Sequence, residues 1–185
     1  MEKIQKLISG PNKLTLFRIA VIPIIVVLLL FPNEICTFIA AILFSAAAIT
    51  DYFDGYYARK RGLVSTLGKV MDPVADKLLV SSAFIMLASL GWVPAWMVCI
   101  IVGRELAVTG LRNIIAQKGE DISASNLGKY KTGFQIAAII PLMIHYPFFR
   151  LDVQIIGTLF LWGALAFTIW SGADYFIRSR RLLQG

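Results

Sequence analysis

Six uninterrupted apolar stretches, each close to the length a helix needs to cross a bilayer, dictate what this chain can fold into. They run from about Leu14 to Phe31, Ile35 to Ala58, Val70 to Leu90, Val93 to Ile115, Gly133 to Phe149 and Val153 to Ile177. A hydrocarbon layer about 30 Å thick takes about 20 helical residues, so 185 residues accommodate six spans and little else. The runs are continuous instead of alternating, which excludes a membrane β-barrel and leaves an all-α integral membrane protein. A composition 58% hydrophobic and 16% charged excludes an ordinary water-soluble domain. Turn chemistry marks several breaks, with Pro32-Asn33 after the first run, Gly91 to Pro94 after the third and Tyr146-Pro147 late in the fifth. Residues 1–185 read as a single membrane domain.

The charges orient the spans. Of 18 Lys and Arg residues, all but Arg150 fall before span one, around the second and fourth loops, or after span six. The positive-inside rule then predicts both termini in the cytoplasm, and the net charge of +7 reads as topology plus attraction to anionic lipid, not as a nucleic-acid footprint. Met1 to Ser9 is polar and mildly basic with no apolar segment before a small-residue cleavage site, so span one is expected to be retained. Within residues 1–10, Ile4, Leu7 and Ile8 have helical spacing, which fits a short interfacial helix and equally a frayed terminus. Cys36 and Cys99 lack CxxC or His-partnered spacing and indicate neither a disulfide framework nor a metal knuckle. His145, with Trp92, Trp96 and Tyr146, reads as part of an extracytoplasmic aromatic belt.

Four acids disturb the apolar pattern. Asp51 and Asp54 are three residues apart, Asp72 and Asp76 four apart, so each pair projects from one helix face at the cytoplasmic ends of spans two and three. A carboxylate at membrane depth needs a partner or a cation. Facing carboxylates repel unless neutralised, and an all-oxygen donor set suits hard divalent ions such as Mg²⁺ or Mn²⁺. Gly55 and Ala58 leave that face nearly bare, and Arg59 offers a planar fork that suits phosphate. Small-residue helix packing would account for Gly55 and Ala58 on their own. Beside the aspartates they point to a phosphate-bearing ligand.

The whole pattern, Asp51-x-x-Asp54-Gly55-x-x-Ala58-Arg59, eight residues, Gly68-x-x-x-Asp72-x-x-x-Asp76, resembles the signature of the CDP-alcohol phosphotransferase family at all eight of its fixed positions. The resemblance implies a six-helix bundle with a polar cavity open to the cytoplasm. It implies transfer of a phosphatidyl group from CDP-diacylglycerol to an alcohol with release of CMP, in a bacterial inner membrane and by a homodimer. One or two Mg²⁺ or Mn²⁺ ions would be held by Asp51, Asp54, Asp72 and Asp76, with Asp76 as the family's proposed general base. Asp51, Asp54, Gly55, Ala58, Arg59 and Gly68 would surround the CDP part.

The acceptor must be read elsewhere. Glu105, Thr109 and Arg112 share one face of span four, next to Arg104, and Lys129 and Lys131 open span five. Arg104, Arg112, Lys129 and Lys131 together suit an anionic acceptor such as a phosphorylated polyol, although either lysine alone serves equally to set topology. With Asn12 to Arg18, these segments resemble the bacterial branch of the family that makes phosphatidylglycerol phosphate from sn-glycerol 3-phosphate. Inositol phosphate, serine and phosphatidylglycerol are the alternative acceptors. A cation or proton transporter is the competing class; it would favour discontinuous helices and an inverted repeat, which the sequence does not display. Asp174 can pair with Arg178 one turn on, a bundle contact and not a catalytic one.

Overall fold

The computed structural model describes residues 11–61, 66–117, 126–146 and 152–183, with side chains over 16–50, 74–117, 127–146 and 152–180. The proposed interfacial helix in residues 1–10 lies outside them. Among the described residues the chain is all-helical: α1 (Pro11–Leu30), α2 (Glu34–Arg61), α3 (Thr66–Ser89), α4 (Ala95–Gln117), α5 (Asn126–Ile144) and α6 (Val153–Leu183). Each helix covers one of the six apolar stretches. The fifth differs in extent, beginning at Asn126 and stopping at Ile144 although the apolar run continues to Phe149. The reason is local: His145 takes a left-handed φ of 49°, and Tyr146 precedes Pro147, which disfavours helical geometry.

Short-range chemistry sets the other ends. Asn33 accepts a hydrogen bond from the Cys36 amide at 2.9 Å and caps α2; Asp152 accepts one from the Gln154 amide at 3.2 Å and caps α6. At the end of α3, Gly91 adopts φ 73°, its amide reaches the Ala88 carbonyl at 3.0 Å, and the Trp92 amide reaches Leu87 at 3.0 Å. That doubly bonded reversal needs a left-handed residue, which glycine supplies without a Cβ penalty.

Helix α1 packs on α2 and α3, α6 on α5 and α4, and α5 also on α2 and α3. The contact between α5 and α6 is close: a Cβ on Gly157 would lie 2.6 Å from Leu142 Cγ and 3.0 Å from the Leu142 backbone nitrogen. The core gathers Leu29, Phe44, Phe84, Met97, Ile139 and Leu161, all nearly inaccessible. These residues sit toward the end of the bundle that holds the α3–α4 turn. There Trp92 stacks on His145 at 3.8 Å and Tyr146 donates a hydrogen bond to the Pro32 carbonyl at 2.7 Å, so the aromatics expected as a belt also tie three turns together. Both cysteines are free.

Many large apolar side chains also face outward. Ile35, Leu106, Ile155 and Leu159 are each about 70% exposed. Helices hydrophobic on all faces belong in lipid, and the membrane nature of the protein follows from this surface. Among the described residues Val153–Arg180 alone is long and apolar enough by itself to cross a bilayer; Leu16–Leu30 and Glu34–Thr50 are shorter apolar helices.

Candidate active site

At the end of the bundle away from the apolar core, α3 to α6 diverge around a cavity of about 730 Å³. Helix periodicity builds its walls. Residues 104, 105, 108, 109 and 112 of α4 recur at steps of three and four and so line one face. Asp76 and Lys77 come from α3, Lys129, Lys131 and Thr132 from α5, and Ser171 and Tyr175, one turn apart, from α6.

The polar groups are linked across helices. Glu105 is only 7% exposed and receives Lys131, itself 5% exposed, on Oε1. Arg104 Nη1 approaches the same oxygen at 3.4 Å, while Nη2 donates to Ser171 Oγ at 3.0 Å. Lys77 donates to Thr109 Oγ1, which in turn donates to the Glu105 carbonyl at 2.5 Å. The Arg112 guanidinium lies 5.8 Å from the Tyr175 ring centre. Three buried polar atoms near the cavity, Arg104 Nε, Gln135 Nε2 and the Tyr175 hydroxyl, have no hydrogen-bond partner among the described residues. Buried polar atoms are ordinarily satisfied, so such a concentration marks a region shaped by something besides folding stability.

The structure brings together five of the residues singled out from the sequence: Asp76, Arg104, Arg112, Lys129 and Lys131 line one cavity. Asp51, Asp54, Gly55, Ala58 and Arg59 lie on the second half of α2, and Gly68 and Asp72 on α3, Asp72 one turn before Asp76. Their side chains lie outside those described, and among the described residues no three His, Cys, Asp or Glu side chains gather. Arg104 and Glu105 are paired, and so are Asp174 and Arg178 at 3.0 Å.

Sequence reasoning missed Lys77, Ser171 and Tyr175 as part of the cavity. Lys77 counts toward the topology-setting charge until α3 is placed beside α4. Ser171 and Tyr175 carry a detectable signal, a four-residue step of hydroxyls toward the end of the last apolar run, but nothing in the sequence says which helix they face.

The family model for CDP-alcohol phosphatidyltransferases matches residues 9–170. A CDP-diacylglycerol–glycerol-3-phosphate 3-phosphatidyltransferase of Bacillus subtilis (strain 168) is 45% identical over 186 residues, covering 94% of this chain and 96% of the relative. The enzyme of the same name from Rickettsia typhi is 41% identical over 167 residues, 90% of this chain and 94% of the relative. A probable phosphatidylglycerophosphate synthase of Mycobacterium tuberculosis is 35% identical over 179 residues, 94% of this chain and 83% of the relative. With the cationic cavity, the aspartate pattern and a family match over most of its length, the chain belongs to the CDP-alcohol phosphatidyltransferase family.

Proposed function

We propose that the protein transfers the phosphatidyl group of CDP-diacylglycerol to sn-glycerol 3-phosphate, giving phosphatidylglycerol phosphate and CMP. The observation that carries this reading is the cavity that gathers Arg104, Arg112, Lys129 and Lys131 next to Asp76. Guanidinium and ammonium groups recognise a phosphate dianion, whereas an acceptor without net charge, such as zwitterionic serine, has no use for so cationic a wall. Relatives named for the glycerol 3-phosphate reaction support the same acceptor.

In this reading the cations hold the acceptor's phosphate with its terminal hydroxyl toward Asp76. Asp76 takes the proton as the hydroxyl oxygen forms its bond to the lipid-bearing phosphorus, and the bond from that phosphorus to the CMP oxygen breaks in line. By the family resemblance, Gly55, Ala58 and Gly68 would leave room for the cytidine and pyrophosphate, and Arg59 would serve a phosphate. The donor set fits a hard divalent cation: Asp76 lines the cavity, Asp72 precedes it by one turn, and α2 carries Asp51 and Asp54. These four carboxylates would hold one or two Mg²⁺ or Mn²⁺ ions, which supply Lewis-acid stabilisation of the phosphoryl charge. Asp76 then serves as ligand, base or both. The six helices are six spans with both termini and the cavity on the cytoplasmic side of the bacterial inner membrane, and the protein works as a homodimer.

The test is CMP release from CDP-diacylglycerol by purified protein, with Mg²⁺, Mn²⁺ or EDTA, offering glycerol 3-phosphate, serine, inositol phosphate and phosphatidylglycerol separately. Metal-dependent release with glycerol 3-phosphate alone is expected. Release with another acceptor only would overturn the acceptor assignment and keep the family chemistry.

A further inference from the structure

Glu105 is out of place in a cavity built to attract phosphate. A buried carboxylate bears a desolvation penalty and repels an anionic ligand, and it is not among the aspartates of the signature. Its two contacts explain how it is tolerated: Lys131 from α5 and Arg104 both reach Oε1. They do not explain what it is for, because Oε2, on a residue of the cavity wall, makes no hydrogen bond among the described residues.

An ionised carboxylate only accepts hydrogen bonds, so Oε2 suits a donor, and a phosphate dianion has none to offer. A hydroxyl does. A phosphorylated three-carbon polyol carries two: the terminal one that attacks, and a middle one that takes no part in the chemistry. We infer that Glu105 Oε2 accepts a hydrogen bond from the middle hydroxyl, which makes Glu105 a specificity-determining residue; this rests on the acceptor reading above. The residues around it divide the work. Lys131 and Arg104, held on Oε1, fix the carboxylate, and Ser171 anchors Arg104 in turn. Arg112 and Lys129 are exposed and make no ion pair among the described residues, so they meet the phosphate directly, while Lys131 and Arg104 add their positive potential to the same cavity. Glu105 thus reads the carbon chain between the two ends of the acceptor.

The test compares glycerol 3-phosphate with 1,3-propanediol monophosphate, which keeps the terminal hydroxyl and the phosphate and lacks only the middle hydroxyl. A hydrogen bond to a charged group is expected to favour glycerol 3-phosphate by about 10- to 100-fold in kcat/KM for CMP release. In Glu105→Leu/Lys131→Met, an apolar pair replacing a buried ionic one, the preference should fall to within about threefold of unity. A purely structural Glu105 would lower both rates together and leave their ratio unmoved. A wild-type ratio below about threefold, or full preference retained by the double variant, overturns the inference. Should the double variant fail to fold, Glu105→Gln is the second variant and the wild-type ratio still decides. Absence of release with glycerol 3-phosphate, alongside release with another acceptor, would instead strike the acceptor reading on which the inference stands.

Discussion

Removing Lys131 alone should harm the protein more than removing Lys131 and Glu105 together. The Glu105 and Lys131 side chains are 9% and 7% exposed, and Arg104, 14% exposed, is the other cation at the carboxylate. At 3.4 Å and an effective dielectric of about 20, the Arg104 attraction amounts to roughly 5 kcal/mol before desolvation, and Lys131, which sits closer, contributes no less. Deleting one partner of such a buried pair costs about 3–5 kcal/mol, and because Arg104 stays, Lys131→Met should fall near about 3. For a chain of this size that is a loss of about 6–12 °C in apparent Tm. Replacing both groups, as in Glu105→Leu/Lys131→Met, removes the desolvation penalty with the attraction and should return most of that loss. Thermal unfolding of detergent-solubilised protein, followed by tryptophan fluorescence, gives all values under one condition. A Lys131→Met variant within 2 °C of wild type, a shift under about 1 kcal/mol, would refute the argument, and so would a double variant less stable than the single one.

Other predictions follow from the same geometry. Asp76→Asn should lower the rate of CMP release by about 10²-fold or more; wild-type turnover would remove Asp76 from the reaction. Arg112→Ala and Lys129→Ala should each raise the glycerol 3-phosphate KM about tenfold, with the CDP-diacylglycerol KM unmoved, as steady-state titration of each substrate would show. Gly91→Ala should cost about 1 kcal/mol from its φ of 73° alone, since no atom would touch the new Cβ within 4 Å. Gly157→Ala should lose about 1–2 kcal/mol for the opposite reason: its Cβ would meet the Leu142 backbone, which no rotamer change relieves, and gained helix propensity offsets only part of the clash. Unchanged thermal midpoints for these glycine variants would contradict the turn and the close packing respectively.

The sequence makes some of this legible and leaves the rest hidden, for physical reasons. The helices are local consequences of hydrophobicity and breakers, and so each coincides with an apolar run. Only α5 departs, because apolarity continues past the point where Pro147 and a left-handed His145 end the helix. The run of cations on either side of the α4–α5 connection needs no fold to be noticed, and Arg104, Arg112, Lys129 and Lys131 do line one cavity. The face that carries Glu105 was legible too, but its contact with Lys131 across two helices was not. An acid among cations looks like simple charge balance until the side chains show two cations on one oxygen and none on the other. Lys77, Ser171 and Tyr175 depend on which helices become neighbours, and sequence periodicity gives a face without naming what it faces.

Helix α6 is longer than a bilayer is thick. Its 31 residues extend roughly 46 Å against a hydrocarbon layer of about 30 Å. Counted from Val153, Ser171 stands roughly 27 Å along the axis and Tyr175 roughly 33 Å, so an upright helix entering the oily phase at Val153 would carry the cavity wall to its far boundary. A reaction held at that height joins two molecules that never share a solvent. The acyl chains stay dissolved in lipid, the polyol phosphate stays dissolved in water, and only the phosphorus and the attacking oxygen must meet. At such a boundary the protein has no need to extract a lipid or to carry a dianion into oil.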